Sequence, residues 1–245
     1  MRSEVDDDDL DFYPCMVDGE PASIYVNLRF ENAPPATHDT RYTIAILMRE
    51  RGEHGIGTED EAIALNLIEE ALMARAHALG VTYVGRLRTR GVWEVTFYGP
   101  RGHLSALRTL AVERADDRRV AAIMNPEPAW TYYRELLLPD AERRQWMDDR
   151  RIVQILREHG DRLSTPRRVD HHLTFPTTAT RDTFVVAVRA AGFLVDDSDG
   201  LGLRVHRVDP IELDHIHDVV MTLVDAATQV GGRYERWVAG IESGG

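Results

Sequence analysis

The chain contains no lysine; all 29 of its basic residues are arginine. GC-rich coding accounts for that bias, and no function follows from it. Cysteine is nearly as scarce. The single residue, Cys15, excludes an internal disulfide and a cysteine-based metal centre. It sits between Pro14 and Met16 in an expected strand, with no histidine near it in sequence, and so reads as a buried structural thiol. Long apolar runs are missing, so no segment is expected to span a bilayer. The opening residues, MRSEVDDDDLDF, lack the apolar centre of a signal peptide, and a soluble, cytoplasmic protein is expected. Catalytic signatures are absent as well. No serine or threonine sits in a GxSxG context, and the GLGLR and GPRG segments read as turns, too short to cradle a phosphate.

What is present is enough for a substantial core: 245 residues, 43% of them hydrophobic. The formal charge of −12 disfavours a nucleic-acid-binding surface, which needs a basic footprint, and suits a basic partner. The acidity is spread along the chain: residues 140–245 hold 18 acidic and 14 basic side chains, a balance of −4. The run Asp6 to Asp9 could attract a cation, but four consecutive carboxylates repel one another, so a frayed, solvated terminus is expected.

The same order of elements is expected twice. A leading hairpin spans Phe12 to Phe30, with Asp18-Gly19 as a turn suited to a two-residue loop. Then follow a strand Tyr42 to Met48, a helix Glu59 to Leu79, strands Val81 to Thr89 and Val92 to Tyr98 around Arg90-Gly91, a helix near His103 to Ala115, and a strand Arg118 to Ile123. After a helix ending near His159, the second half runs strand Arg168 to Phe175, helix Arg181 to Ala191, strands Phe193 to Asp196 and Leu203 to Val208, helix Ile211 to Val230 and strand Arg233 to Val238. Both halves read as βαββαβ. The expected fold class is α+β, two ferredoxin-like two-layer sandwiches in tandem, with domains 1–139 and 140–245.

Local signals support the helices. Thr58 and Glu61 have the spacing of a capping box, and Leu65, Ile68, Leu72, Ala76 and Leu79 follow on one face. Asp209, Pro210 and Glu212 suit N-cap, N1 and N3 of the later helix, ahead of a stripe Ile216, Val219, Leu223, Ala227 and Val230. Phe184, Val185, Val188 and Ala191 share one face of the helix that stops at Gly192. Pro126 and Pro128 end a strand. Trp130, Tyr133 and Leu137 have helical spacing, which reads as a docking face within the chain.

The wording HGDRL, VDHHLTFPT, RDTF, AAGF and GGRYERW, over roughly the last two fifths of the chain, resembles the ribonuclease E inhibitor family, regulator of ribonuclease activity B. That resemblance implies a domain that binds and restrains a ribonuclease without a cofactor. The segments DFYPCMVDGEPASIYVNL, TEDEAIALNLIEEAL and YVGRLRTRGVWEVTFYG resemble a bacterial domain family of unknown function, number 695. The two families occur fused in this order, so each resemblance supports the other.

Asp170-His171-His172 is the one grouping with metal-ligand chemistry. Neighbouring histidines on a strand point to opposite faces, so one packed and one exposed imidazole is the simpler reading. His206, from another strand, could approach across the sheet. His215 and His217 stand about 200° apart on a helix and do not chelate together. No catalytic, cofactor-binding or metal residues are expected. The reading is a non-catalytic, protein-binding regulator of a ribonuclease E-type enzyme, without direct nucleic-acid or membrane binding. The rival is an enzyme or small-ligand binder with a site between the domains, near Trp130, Tyr132, Tyr133 and the charged segment Arg143 to Arg151.

Overall fold

The computed structural model describes residues 8–196 and 200–242. They divide into two compact units, with the boundary between Asp140 and Ala141.

In the N-terminal unit, β1 (Leu10–Val17) and β2 (Glu20–Asn27) form a hairpin. Asp18 and Gly19 turn it with φ of 51° and 78°, the left-handed pair a tight hairpin demands. After β3 (Thr40–Leu47), α1 (Glu59–Ala78), β4 (Thr82–Thr89), β5 (Val92–Gly99), α2 (Leu104–Arg114) and β6 (Val120–Pro126), the strands lie in the order β1-β2-β4-β5-β3-β6. Every neighbouring pair is antiparallel. Alternation places Tyr42, Ile44 and Ile46 of β3 and Trp93, Val95 and Phe97 of β5 in one core with Leu65, Ile68 and Leu72 of α1 and Leu107 and Ala111 of α2. Each such side chain removed from water stabilises the fold by about 1.5–3 kcal/mol.

A π-helical turn, Tyr133–Leu137, lies against β2 and β4. The Tyr133 hydroxyl donates to the Asn27 carbonyl at 2.6 Å, and Tyr13 donates to the Leu137 carbonyl at 3.0 Å. A Cβ on Gly85 would stand 2.6 Å from the Tyr25 oxygen and 3.3 Å from Leu137, so glycine permits this close approach. Trp130 is buried too, stacked on Tyr98 at 4.1 Å, its indole N–H donating to the His38 carbonyl at 2.7 Å. The aromatic stripe thus closes the N-terminal unit's own fold.

The C-terminal unit opens with α3 (Ala141–Glu158) and continues β7 (Arg167–Thr174), α4 (Thr178–Ala190), β8 (Leu194–Val195), β9 (Gly202–Asp209), α5 (Leu213–Gln229) and β10 (Arg233–Ala239). Its antiparallel sheet has the order β10-β7-β9-β8. Val169, Leu173, Leu203, Val205 and Trp237 meet Phe184, Val188, Ile216, Val220 and Leu223 in a single core. The architecture is mixed α and β with two separate antiparallel sheets.

Three local expectations are corrected. Thr58 does cap α1, accepting from the Glu61 amide at 3.3 Å, but Glu61 does not reach back. Its carboxylate takes both Arg118 N–H groups at 2.9 Å, because a charged fork outcompetes one backbone amide. Asp209 is not the cap of α5. It lies in β9 paired with Arg167, its carboxylate accepting from Arg207 at 2.8 and 3.0 Å, and Glu212 is the uncapped N-terminal residue. Ala191 is exposed and outside the packed face of α4, where Phe184 and Val188 carry the burial.

Candidate functional site

The two imidazoles of β7 point to opposite faces. His171 is fully buried, its Nδ1 2.8 Å from the Tyr234 hydroxyl and its ring edge-on to Phe193 at 5.8 Å. Its Nε2 has no hydrogen-bond partner among the described residues. Burial lowers its pKa to about 4; Asp209 and Asp170 pull the other way, Arg207 and His172 with it. A neutral ring in the core cannot join His172 in any site. His215 and His217 are separated as expected, the first 2.9 Å from Asp209 and the second 2.9 Å from Asp149.

The other face of the C-terminal sheet carries the polar residues. Register sets them in rows. Arg236 of β10 stands beside His172 of β7, which stands beside Arg204 of β9. The next row is Val238, Asp170, His206 and Leu194. A shallow depression of about 620 Å³ lies over the first row, bordered by Thr174, Gly202, Arg233 and Glu235. Glu235 is engaged at its edge, accepting from Thr174 and Arg233 at 2.8 Å each. The sequence singled out Asp170, His172 and His206. It missed Asp196, Arg204 and Arg236; the alternation Arg204, His206, Val208 was the available signal.

Asp170, Asp196 and His206 bring potential metal-ligand atoms within 4.8 Å of one another. The guanidinium of Arg168 bridges both carboxylates at 2.7 and 2.6 Å, and Arg204 Nε lies 3.1 Å from Asp196. Burial would raise the Asp196 pKa, yet His206, Arg168 and Arg204 hold it below the usual value. Resident arginines occupy the positions from which a cation would be bound, so the donor set fits an ion-pair network better than a metal centre.

A second concavity, about 710 Å³, belongs to the N-terminal unit, between α1, the start of β4 and the segment after β2. Phe30, Pro35, Met73, Val81 and Tyr83 supply apolar walls, with Asp8, Arg29, His38 and Glu70 as polar groups. His38 bonds Thr82 and Thr37 at 3.1 Å each, and burial lowers its pKa. Asp8 accepts from the Asn27 amide at 2.8 Å, and the Asp9 N–H donates to Asn27 at 3.2 Å. This end of the acidic run is therefore tied to β2 and is not frayed; Asp6 and Asp7 lie outside the described residues. Cys15 is half-buried in β1 where full burial was expected. Tyr132, from the aromatic segment, donates to Glu94 and lies under the Arg41 guanidinium at 4.1 Å. No helix among the described residues is long and apolar enough to cross a membrane.

Two antiparallel sheets, each with helices on one face, the second with an arginine-lined opposite face, define an α+β protein of two units. Residues 8–138 match the family of unknown function DUF695, and residues 146–238 match RraB, regulator of ribonuclease activity B. The first match covers more than half of the chain, which belongs to that family; the C-terminal unit is similar to the second. No curated protein matches the chain.

Proposed function

We propose that this chain is a non-catalytic, cytoplasmic, protein-binding regulator whose C-terminal unit restrains a ribonuclease E-type enzyme and so alters RNA turnover. The observation that carries this reading is the match of residues 146–238 to regulator of ribonuclease activity B. Much of the wording behind the resemblance has structural duties. The aspartate of GDR, Asp161, pairs with Arg167 at 2.5 Å; the tyrosine of YERW, Tyr234, meets His171; its tryptophan, Trp237, donates to Asp149. These residues support a shared fold, and binding falls to the exposed surface. We also read each unit as a ferredoxin-like sandwich. The order β4-β5-β3-β6 within the first sheet and β8-β9-β7-β10 in the second support that reading.

The test is recovery of the tagged chain from a native lysate at low salt, followed by an RNA-cleavage assay with the captured enzyme. An RNA-processing endonuclease that the added chain slows is the expected result. Recovery of no RNA-processing enzyme overturns the reading. A second reading, a small-ligand binder, is favoured by the largely apolar cavity beside His38 and Met73. Stabilisation of the N-terminal unit by an apolar ligand, lost in Met73→Glu, would support it.

A further inference from the structure

The row Arg236, His172, Arg204 sets two guanidinium groups on either side of one imidazole, a local concentration of positive charge on the open face. Burial lowers the His172 pKa, and Arg236 and Arg204 lower it further, so the ring itself registers the positive field. Arg204 is offset on one side by Asp196 at 3.1 Å. Arg236 makes no hydrogen bond or ion pair among the described residues, and the nearby Glu235 is already shared by Thr174 and Arg233. The depression is therefore lined by one guanidinium, that of Arg236, with no acceptor among the described residues, beside Arg204, whose only such partner is Asp196. Exposed apolar side chains continue the face away from this row: Leu194 and Val238 in the next row and Val208, opposite Arg168, in the row beyond are 63%, 48% and 64% exposed. Solvated cations beside exposed aliphatic groups on an open sheet form a surface for a partner of opposite pattern.

We infer that the open face of the C-terminal sheet docks an acidic segment of a protein partner, its carboxylates on Arg204 and Arg236 and its apolar side chains on Leu194, Val208 and Val238. The inference rests on reading this unit as a protein-binding module and names the chemistry of the segment it holds. It reverses the expectation from net charge alone, since three arginines and one glutamate line the depression while the chain carries −12. Arginine suits this occupant because its planar fork meets a carboxylate through two parallel bonds. A single-stranded RNA fits less well. Among the described residues of its strands, the face carries no tryptophan, tyrosine or phenylalanine on which a base could stack.

The test uses the full chain and three fluorescein-labelled probes: a short peptide alternating aspartate with leucine, its lysine-leucine counterpart, and oligouridylate. Fluorescence anisotropy is read at low and at physiological salt. The acidic peptide binds at low salt and weakens as salt rises. The double variant Arg204→Gln/Arg236→Gln weakens it at least about tenfold, since each site loses a charge-assisted pair. Arg189→Gln, an exposed change on α4, leaves binding as it was. All three side chains in these variants are solvent-facing, and circular dichroism checks that the fold persists. Absence of acidic-peptide binding at low salt, equal binding of the lysine peptide or of RNA, or unchanged binding by the double variant would each overturn the inference. The peptide assay contains no ribonuclease, so its failure is distinct from failure to recover one.

Discussion

The Trp237 indole N–H donates to Asp149 Oδ1 at 2.9 Å, in a site where Asp149 is fully buried. The same carboxylate holds His217 Nδ1 at 2.9 Å through Oδ2, and Gln145 donates to it at 3.0 Å. One side chain of α3 thereby ties α5 and β10 together beneath the C-terminal sheet. Asp149→Ala removes the acceptor and leaves the indole and imidazole partners buried without one. We expect a loss of about 3 kcal/mol or more, from desolvated donors whose bonds are gone. Hydrogen exchange of the β7 and β10 amides under increasing urea measures it, and a loss below about 1 kcal/mol would contradict a shared anchor.

Asp161 and Arg167 form a bidentate pair at 2.5 and 2.8 Å, with side chains 0% and 5% exposed. Arg167 also donates to the carbonyls of Arg162 and Gly240. Arg167→Ala should cost about 3–5 kcal/mol because it strands a buried carboxylate, whereas Arg167→Met with Asp161→Leu should recover much of that. Hydrogen bonding from Arg167 holds the Asp161 pKa below its usual value, against burial, with help from the Glu242 amide. Its contribution is thus complete above the usual aspartate range and declines as pH falls through the lowered value. Acid titration of the C-terminal unit, wild type against the double variant, measures that difference; identical acid curves would refute it.

His171 yields a prediction of opposite origin, set by burial of a neutral ring. Its pKa falls from 6.5 to about 4, so the unfolded chain takes up a proton in that window and the folded chain does not. The contribution is present above pH 6.5 and is lost on going down to about 4, by about 3 kcal/mol in total. An NMR titration of the ring carbons should show His171 neutral well below pH 6. A midpoint near 6.5 in the folded protein would sink the assignment.

Glu69 is 3% exposed and accepts from Tyr83 at 2.6 Å, Trp93 at 2.7 Å and Arg86 at 3.1 Å. Arg86 in turn lies 4.2 Å over the Trp93 ring. Glu69→Ala should destabilise the N-terminal unit by about 3–5 kcal/mol, since it leaves an arginine partly buried and two ring donors unpaired. Glu69→Gln, which keeps an acceptor in place, should cost less. Equal losses in the two variants, read from the quenching of Trp93 fluorescence in urea, would show that the acceptor is not what matters.

Much of the element order was legible because its signals are short-ranged. The Leu65–Ile68–Leu72–Ala76 stripe is buried as its spacing demands, and Asp18-Gly19 and Arg90-Gly91 turn their hairpins with positive φ. The two imidazoles of β7 divide between core and open face as strand alternation requires. The caps were less legible. Glu61 and Asp209 each had a suitable spacing for a backbone role, but an arginine distant in sequence (Arg118) or two residues back on the same strand (Arg207) offered a stronger partner. The Trp130–Leu137 stripe read as a docking face, and only the fold shows that its socket lies on β2, β4 and Tyr98.

Hydrophobic period, turn residues and composition by themselves determined which segments are helix or strand and that the chain is α+β, because those preferences act among near neighbours. The matching of two families to two parts was carried by the same local wording. Tertiary structure alone decided that Arg236, His172 and Arg204 form one row and that Asp196 joins Asp170 and His206. These residues come from separate strands and a loop, and their proximity depends on register. A slip of one residue would turn every one of those side chains to the opposite face. Charge counted along the chain is therefore no guide to charge on a face; pairing across the sheet sets it.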